Sequence, residues 1–263
     1  MIKLLRLAVL ALARLVRRPL RLAILASGSG TTALAILLAC QRGGVLYGLV
    51  KIVCLVASKE SAGVIEKFKS AGFTSRIAVC DPRDFPDRKE FGEALVAILE
   101  EVGVDWYGQY GWLPKTPEEV IARWPGINQH PASPRHFGGK GMFGIAPHAA
   151  VLWFKMISKR TIQHSVVVAQ FVASNYDEGA LIYCLQVPLV PADILTGVQA
   201  KELQRRALPI EHACQIAALL RIAAFGGDPR RLPPVEDPFL VLDDEAGLLA
   251  EAKRRAINTY PHG

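Results

Sequence analysis

The sequence has few cysteines, and their spacing argues against two kinds of site. All five lie far apart, at positions 40, 54, 80, 184 and 214, and no Cys-x-x-Cys or Cys/His ligand spacing occurs. An odd number of dispersed cysteines argues against a disulfide framework and against a zinc site. Most of them fall in apolar runs, which predicts buried free thiols, no bound metal and a cytoplasmic location.

The first twenty residues lack an unbroken apolar run of the length needed to span a membrane. Arginines interrupt them, and the apolar residues recur at roughly helical spacing. This pattern predicts a basic amphipathic helix over residues 1–20. We favour a helix that packs on the body of the protein, and contact with a membrane surface stays open as the alternative.

An excess of positive charge is missing from the body of the chain. The net charge of +7 comes from 31 basic and 24 acidic residues, but six of the basic ones lie in residues 1–21, which hold no acid. The rest of the chain therefore carries only +1, which gives no argument for nucleic acid as a partner. With 51% apolar and 21% charged residues, the composition is that of a globular protein with a sizeable core.

What the sequence does have is an alternation of short β-rich runs and helical stretches. The run Lys51–Ala57 is continuously apolar, which is typical of a strand buried on both faces. The alternation predicts an α/β, Rossmann-like fold with a mostly parallel sheet and helices on both faces. Two later β-rich stretches, Thr161–Val172 and Ala180–Val187, predict an antiparallel edge.

Composition divides the chain into three predicted parts. Residues 1–20 are the basic helix, residues 21–225 the main domain, and residues 226–263 a tail that wraps the body or is partly mobile. A helix is predicted to end the main domain near Ala224, interrupted or kinked at Pro209. Thr116 is predicted to cap the helix that follows it.

A glycine-rich turn follows the first predicted strand and opens a helix. The free N–H groups at such a helix start favour a phosphate, and glycines let the backbone approach it. The predicted phosphate-binding residues are Gly28, Ser29, Gly30, Thr31 and Thr32. With Ala33 the turn also matches a dinucleotide pattern, and Lys59 could suit a 2′-phosphate, so an NADP-dependent oxidoreductase stays open. A tight turn that binds nothing is the structural alternative.

Two further segments carry side chains suited to acyl-transfer chemistry. Asn128 and His130 are two residues apart at a predicted strand end, so their side chains point to the same side. An asparagine amide can donate to a developing oxyanion, and a histidine can change charge near neutral pH. Asp177 lies in a predicted turn, and an aspartate beside an imidazole would fix its tautomer. Spacing alone does not show that Asp177 meets His130.

These segments, in this order, resemble the phosphoribosylglycinamide formyltransferase family over about residues 21–225. The family's first strand and glycine loop are similar to Leu22–Thr31, and its Asn-x-His-Pro motif is similar to Asn128–Pro131. Its Thr-x-x-His strand is similar to Thr161–His164, and its Asp-Gly-Gly-Pro-Ile segment to Asp177–Ile182. Its Gln-Glu-His helix is similar to Ile210–His212. The resemblance implies formyl transfer from 10-formyltetrahydrofolate to the amine of glycinamide ribonucleotide, in purine biosynthesis.

The resemblance also implies roles for individual residues. Asn128, His130 and Asp177 inherit the family's catalytic trio, and Glu211 would contact the glycinamide end of the substrate. The stretch after the histidine, Ala132–Gly144, is several residues longer than in the family. Two candidate loop contacts are Lys140 and His148. A homodimer stays open, as does an acceptor other than glycinamide ribonucleotide, such as an amino-sugar nucleotide.

Overall fold

The protein is described by a computed structural model over residues 18–190 and 197–263. The predicted amphipathic helix over residues 1–20 therefore lies almost entirely outside the described residues. Arg18 is the first described residue, and both of its terminal nitrogens donate to the Asp105 carboxylate at 2.8 Å.

Seven strands form one sheet in the order β3-β2-β1-β4-β5-β6-β7. Their bounds are β1 Leu20–Ala26, β2 Val50–Ala57, β3 Arg76–Val79, β4 Trp106–Gln109, β5 Gly126–His130, β6 His164–Phe171 and β7 Leu181–Pro188. The pairs among β1 to β5 are parallel, and β6 pairs with β7 in antiparallel fashion. The predicted α/β fold, with a mostly parallel sheet and an antiparallel edge, is confirmed.

Eight α-helices connect or follow these strands in the described part of the chain. They are α1 Thr31–Cys40, α2 Gly63–Ser70, α3 Arg88–Glu101, α4 Glu118–Arg123, α5 Pro134–Phe137, α6 Ala146–Ser158, α7 Gly197–Ala224 and α8 Ala246–Thr259. The short α5 and the longer α6 were not predicted. Helix α7 runs through Pro209 without the interruption that the sequence allowed.

The chain divides into two compact units. One comprises the described residues up to Asn128 together with Gln215–Pro233, and the other comprises Gln129–Cys214 and Pro234–Gly263. Strand β1 is the centre of the first unit, because it pairs with β2 on one side and with β4 on the other. Its residues 22–26 are completely buried. Each large apolar side chain there stabilises the fold by about 1.5–3 kcal/mol.

The predicted helix cap at Thr116 is wrong. Helix α4 begins one residue later than expected, and Pro117 occupies the cap position without a side-chain hydrogen bond. The Thr116 hydroxyl instead accepts a hydrogen bond from the amide of Gln109 on β4, and both side chains are buried. A buried amide that needs an acceptor thus takes the hydroxyl that would otherwise cap the helix.

Among the described residues, one helical segment, Gln199–Ala224 within α7, is long and apolar enough to cross a membrane by length and composition alone. Several of its apolar side chains, including Leu203, Ala207 and Leu219, are completely buried inside the fold. Buried apolar side chains of this kind are typical of a core helix in a globular domain.

An aromatic cluster ties the C-terminal segment into the second unit. The ring of Phe239 lies 5.0 Å from that of Phe137 in a T-shaped contact and 6.3 Å from that of Phe154. Phe239 is 7% exposed, whereas its neighbour Leu240 is 63% exposed. Edge-to-face contacts of this kind add to the free energy gained by burying each ring.

We expect Phe239→Ala to lower the free energy of unfolding by about 3 kcal/mol or more, because it leaves a cavity among packed aromatic rings. Leu240→Ala is the matched control and should change stability by less than about 0.5 kcal/mol, since its side chain is exposed. Urea denaturation of both variants measures the difference. Equal stabilities would contradict the packing role of Phe239.

Candidate active site

The glycine-rich turn lies at the carboxyl end of β1, where the sheet order reverses between β2 and β4. This is the position at which open α/β sheets bind their ligands. Gly30 caps helix α1 with φ 66°. A Cβ there would lie 2.3 Å from the Val64 side chain, so only glycine is accommodated. Gly28 and Ser29 at the tip of the turn are exposed.

The turn offers donors rather than side-chain caps. No side chain caps helix α1, and the first N–H groups of a helix have no intrahelical acceptor. These groups, at Thr31 and Thr32, point out of the helix start with the positive end of its dipole. The Ser27 hydroxyl fixes the base of the turn, because it accepts from Ser58 Oγ at 2.7 Å and from the Leu113 N–H at 2.9 Å. The arrangement suits an anion.

Strand β5 carries the second group of predicted residues. It runs from Gly126 to His130, so Asn128 and His130 are alternate residues of one strand, as predicted. The His130 side chain is only 4% exposed. Its Nδ1 lies 3.0 Å from the carbonyl oxygen of Ala132, which orients the ring. Among the described residues, its Nε2 has no hydrogen-bond partner.

Asp177 lies in the turn between β6 and β7, as predicted. Its φ is 60°, in the left-handed region that non-glycine residues rarely adopt. Its Oδ1 accepts from the Gln170 side-chain amide at 2.9 Å, and its Oδ2 accepts from the Gly139 N–H at 2.9 Å. The side chain is 10% exposed, and these two donors fix the orientation of its carboxylate.

The structure brings Asp177 to His130, which spacing in the sequence could not show. Asp177 Oδ2 lies 3.7 Å from His130 Nε2, and the two side chains are 10% and 4% exposed. This separation is within ion-pair range but longer than a hydrogen bond. A protonated imidazole here would be held by the carboxylate and would keep Nε2–H free for a substrate oxygen. The pair can therefore stabilise a developing oxyanion.

A second buried acid–imidazole pair lies in the same unit. Glu211 on α7 accepts a hydrogen bond from the Gln129 side-chain amide, and its Oε1 lies 3.7 Å from His148 Nε2. Both side chains are almost completely buried. Glu211 therefore does not lie on a solvent-exposed face of its helix. Its side chain faces inwards, towards two polar residues.

Burial drives both members of this second pair towards their neutral forms. Desolvation lowers the pKa of His148 to about 3, and the nearby His130 lowers it further. Desolvation also raises the pKa of Glu211 to about 7, against the opposing hydrogen bond from Gln129. The 3.7 Å approach is within ion-pair distance, but Glu211 accepts one hydrogen bond where the Asp177 carboxylate accepts at least two. Near pH 7 His148 is therefore neutral, and Glu211 is about half protonated.

The two candidate loop contacts have different outcomes. Lys140 lies in the loop between α5 and α6 and is exposed, as a loop contact would be. The loop assignment of His148 is wrong, because it lies in the first turn of α6 and is 1% exposed. This helix begins at Ala146, and Pro147 lies in its first turn, where a proline is tolerated.

Several side chains that support the site were not predicted. They are Gln129, Gln170 and Lys253, which bond, respectively, to Glu211, to Asp177 and to the carbonyl oxygen of Gly138. The two glutamines lie on strands next to predicted residues, and a polar residue in an apolar strand is a usable signal. Nothing in the sequence distinguishes Lys253 from other helix lysines. Within residues 18–190 and 197–263, no group of three or more His, Cys, Asp or Glu residues is placed to hold a metal.

Comparison with known proteins identifies the family. The family model described as formyl transferase matches residues 20–219. The chain belongs to the formyl transferase family. The matched range contains the glycine-rich turn, Asn128, His130, Asp177 and Glu211, and it ends before helix α8. The resemblance to phosphoribosylglycinamide formyltransferases that the motifs carry is thereby confirmed.

Individual relatives of this formyl transferase agree with that assignment. It is 31% identical over 194 residues to a chloroplastic phosphoribosylglycinamide formyltransferase of Arabidopsis thaliana, covering 73% of this chain and 61% of the relative. It is 26% identical to the Haemophilus influenzae enzyme of the same name, covering 69% of this chain and 79% of that one. The chain thus spans less than two thirds of the Arabidopsis relative.

A solved structure shows the same fold. The glycinamide ribonucleotide transformylase 1 of Symbiobacterium toebii aligns with a TM-score of 0.64 and 25% identity, covering 83% of this chain and 95% of that chain. The core fold of this formyl transferase is therefore that of the glycinamide ribonucleotide transformylase, with additional residues in the present chain.

The raised pKa of Glu211 predicts a pH-dependent gain in stability for Glu211→Gln. In the unfolded chain the carboxyl loses its proton near 4.5, and in the folded protein near 7, so wild-type stability falls as pH rises between these values. Glutamine keeps an acceptor for Gln129 and has no charge to desolvate. We expect the variant to gain up to roughly 3 kcal/mol at pH 8 relative to its difference at pH 4.5.

Urea denaturation at several pH values measures this gain. Glu202→Gln is the matched control, because Glu202 lies on the same helix, is exposed and is paired with Arg205. It should show no such gain at alkaline pH. A stability difference between wild type and Glu211→Gln that does not vary with pH would refute the inferred titration.

Proposed function

We propose that this formyl transferase transfers the formyl group of 10-formyltetrahydrofolate to the amine of glycinamide ribonucleotide, a step of purine biosynthesis. The observation that carries the proposal is the buried pair of His130 and Asp177, in which the imidazole Nε2 has no hydrogen-bond partner among the described residues. Family membership supports a formyl group as the group transferred. The names of the relatives support the acceptor, and the folate donor is what the resemblance to their family implies.

The chemistry suits the groups that the structure brings together. The neutral amine of the acceptor attacks the formyl carbon, a C–N bond forms, and the formyl oxygen becomes an oxyanion. Protonated His130 and the amide of Asn128 would stabilise that oxygen; one such donor is typically worth about 3–4 kcal/mol. Collapse breaks the bond between the formyl carbon and N10 of the folate. The proton lost by the amine is returned to N10, with Asp177 assisting its relay through water.

The remaining predicted residues are assigned to substrate binding. The turn formed by Gly28, Ser29, Gly30, Thr31 and Thr32 would bind the ribonucleotide phosphate through its N–H groups. Glu211 would contact the glycinamide end, where an incoming amine would replace the missing partners of its buried carboxyl. Lys140, exposed on its loop, would be available to an anionic part of either substrate.

Two alternatives predict different substrates for the same chain. A different amine acceptor, such as an amino-sugar nucleotide, would use the same His130 and Asp177 chemistry. An NADP-dependent oxidoreductase would use the glycine-rich turn but has no role for the buried His130 pair, and family membership favours formyl transfer over it. The free thiols of the described cysteines support the cytoplasm as the proposed location.

The test is a formyl-transfer assay with glycinamide ribonucleotide and 10-formyltetrahydrofolate, followed by the absorbance of the deformylated folate. We expect wild-type turnover and a loss in kcat of at least about 100-fold for His130→Ala, because one oxyanion donor is removed. Asp177→Asn should also lower kcat strongly, because the imidazole loses the carboxylate that lies 3.7 Å from its Nε2.

His262→Ala is the matched control, because His262 is exposed near the end of the chain. It should retain wild-type turnover. A folded wild-type protein without turnover would reject this pair of substrates, and amino-sugar nucleotides would then be assayed as acceptors with the same donor. Undiminished kcat in His130→Ala would reject the assigned mechanism.

A further inference from the structure

The C-terminal segment, defined here as residues 234–263, contacts the loop that precedes helix α6. This segment lies beyond residues 20–219, the part that the family model matches. Ser133 Oγ donates to Asp237 Oδ2 at 2.5 Å, and Lys253 Nζ donates to the carbonyl oxygen of Gly138 at 2.7 Å. Residues outside the matched range therefore bond to this loop near its start and near its middle.

One peptide group connects Lys253 to the carboxylate of Asp177. The carbonyl of Gly138 and the N–H of Gly139 belong to the same planar unit, in which they point in opposite directions. The carbonyl accepts from Lys253, and the N–H donates to Asp177 Oδ2 at 2.9 Å. That same Oδ2 lies 3.7 Å from His130 Nε2. An unbroken chain of contacts thus runs from helix α8 to the imidazole.

This series of contacts gives Lys253 two effects on the Asp177 carboxylate. A charged donor on the carbonyl oxygen polarises the peptide and strengthens the hydrogen bond that its N–H gives to the carboxylate. It also fixes the rotation of the peptide plane, on which the direction of the Gly139 N–H depends. Catalytic groups need such support, because displacement by about 1 Å can cost 10²-fold in rate.

We propose that Lys253 is a positioning residue for Asp177, acting through the peptide between Gly138 and Gly139. The proposal rests on the proposed function, since it assumes that Asp177 serves formyl transfer. Lys253 is not assigned contact with a substrate. Its own contact is with the Gly138 carbonyl, and its effect on His130 passes through the carboxylate.

The surroundings of Lys253 support this role. It is half-buried, and desolvation lowers its pKa while the charge of Asp177 raises it. A Cβ on Gly138 would lie 2.6 Å from Asp177 Cβ, so the loop and the turn that holds the carboxylate are closely packed. The loop's own lysine, Lys140, is exposed. The adjacent Arg254 is also exposed and pairs with Glu251 on its own helix.

The test compares Lys253→Met and Lys253→Arg with the control Arg254→Met in the formyl-transfer assay. We expect Lys253→Met to lower kcat about tenfold while KM for both substrates changes less than about twofold, because positioning and not binding is lost. Lys253→Arg keeps the charge and N–H donors and should retain at least a third of wild-type kcat. Arg254→Met should retain wild-type kcat and KM.

A second comparison asks whether Lys253 acts through Asp177. In an Asp177→Asn background, adding Lys253→Met should lower kcat by less than a further twofold. The effects of two substitutions that act through the same contact are not additive. A full additional tenfold loss would overturn the proposal. So would equal losses in Lys253→Met and Lys253→Arg, unchanged kcat in Lys253→Met, or a change confined to KM.

A measurement without substrate separates this inference from the proposed function. If the wild-type protein shows no formyl transfer, the proposed substrates fail, and hydrogen exchange of the Gly139 amide still tests the contact chain. Lys253→Met should speed that exchange at least tenfold relative to Arg254→Met, with both variants folded by circular dichroism. Equal exchange rates would overturn the role of Lys253.

Discussion

A carboxylate that is largely removed from water needs hydrogen bonds from the protein, and the candidate site depends on this constraint at Asp177. Its two oxygens accept from the Gln170 amide and the Gly139 N–H. Both donors are fixed, one by strand β6 and the other by a peptide that Lys253 holds. The turn adopts an unfavourable φ at Asp177 to place the carboxylate between them. Strain in the backbone is thus offset by charge-assisted hydrogen bonds.

The second acid–imidazole pair shows the effect of having fewer hydrogen-bond donors to the carboxylate. Glu211 and His148 approach each other as closely as Asp177 and His130 do, at 3.7 Å in both cases. Among the described residues, Glu211 nevertheless accepts a hydrogen bond from the Gln129 amide alone, and neither ring nitrogen of His148 has a hydrogen-bond partner. Burial then favours the neutral forms. Equal distances therefore give two chemically different pairs: one suited to stabilise an oxyanion, the other with unused hydrogen-bonding capacity.

The parts of this structure that could be predicted are those that depend on residues close together in the sequence. The apolar run of β2, the helix that opens at Thr31 and the antiparallel pair β6–β7 all agree with local periodicity, to within a few residues. Thr116 failed as a cap because a buried amide on another strand needed its hydroxyl. The pairing of Asp177 with His130 depends on residues 47 positions apart in the sequence. Only the family resemblance, and not spacing, connected them beforehand.

Lys253 marks a second limit, because the two segments that it joins lie far apart in the sequence. Asp237 and Lys253 bond to residues 133 and 138, and both come from outside the range that the family model matches. Ordering a loop costs conformational free energy, and a loop without these contacts would present the Gly139 N–H in many orientations, of which few suit Asp177. The C-terminal segment thus supplies contacts that order the loop beside the carboxylate.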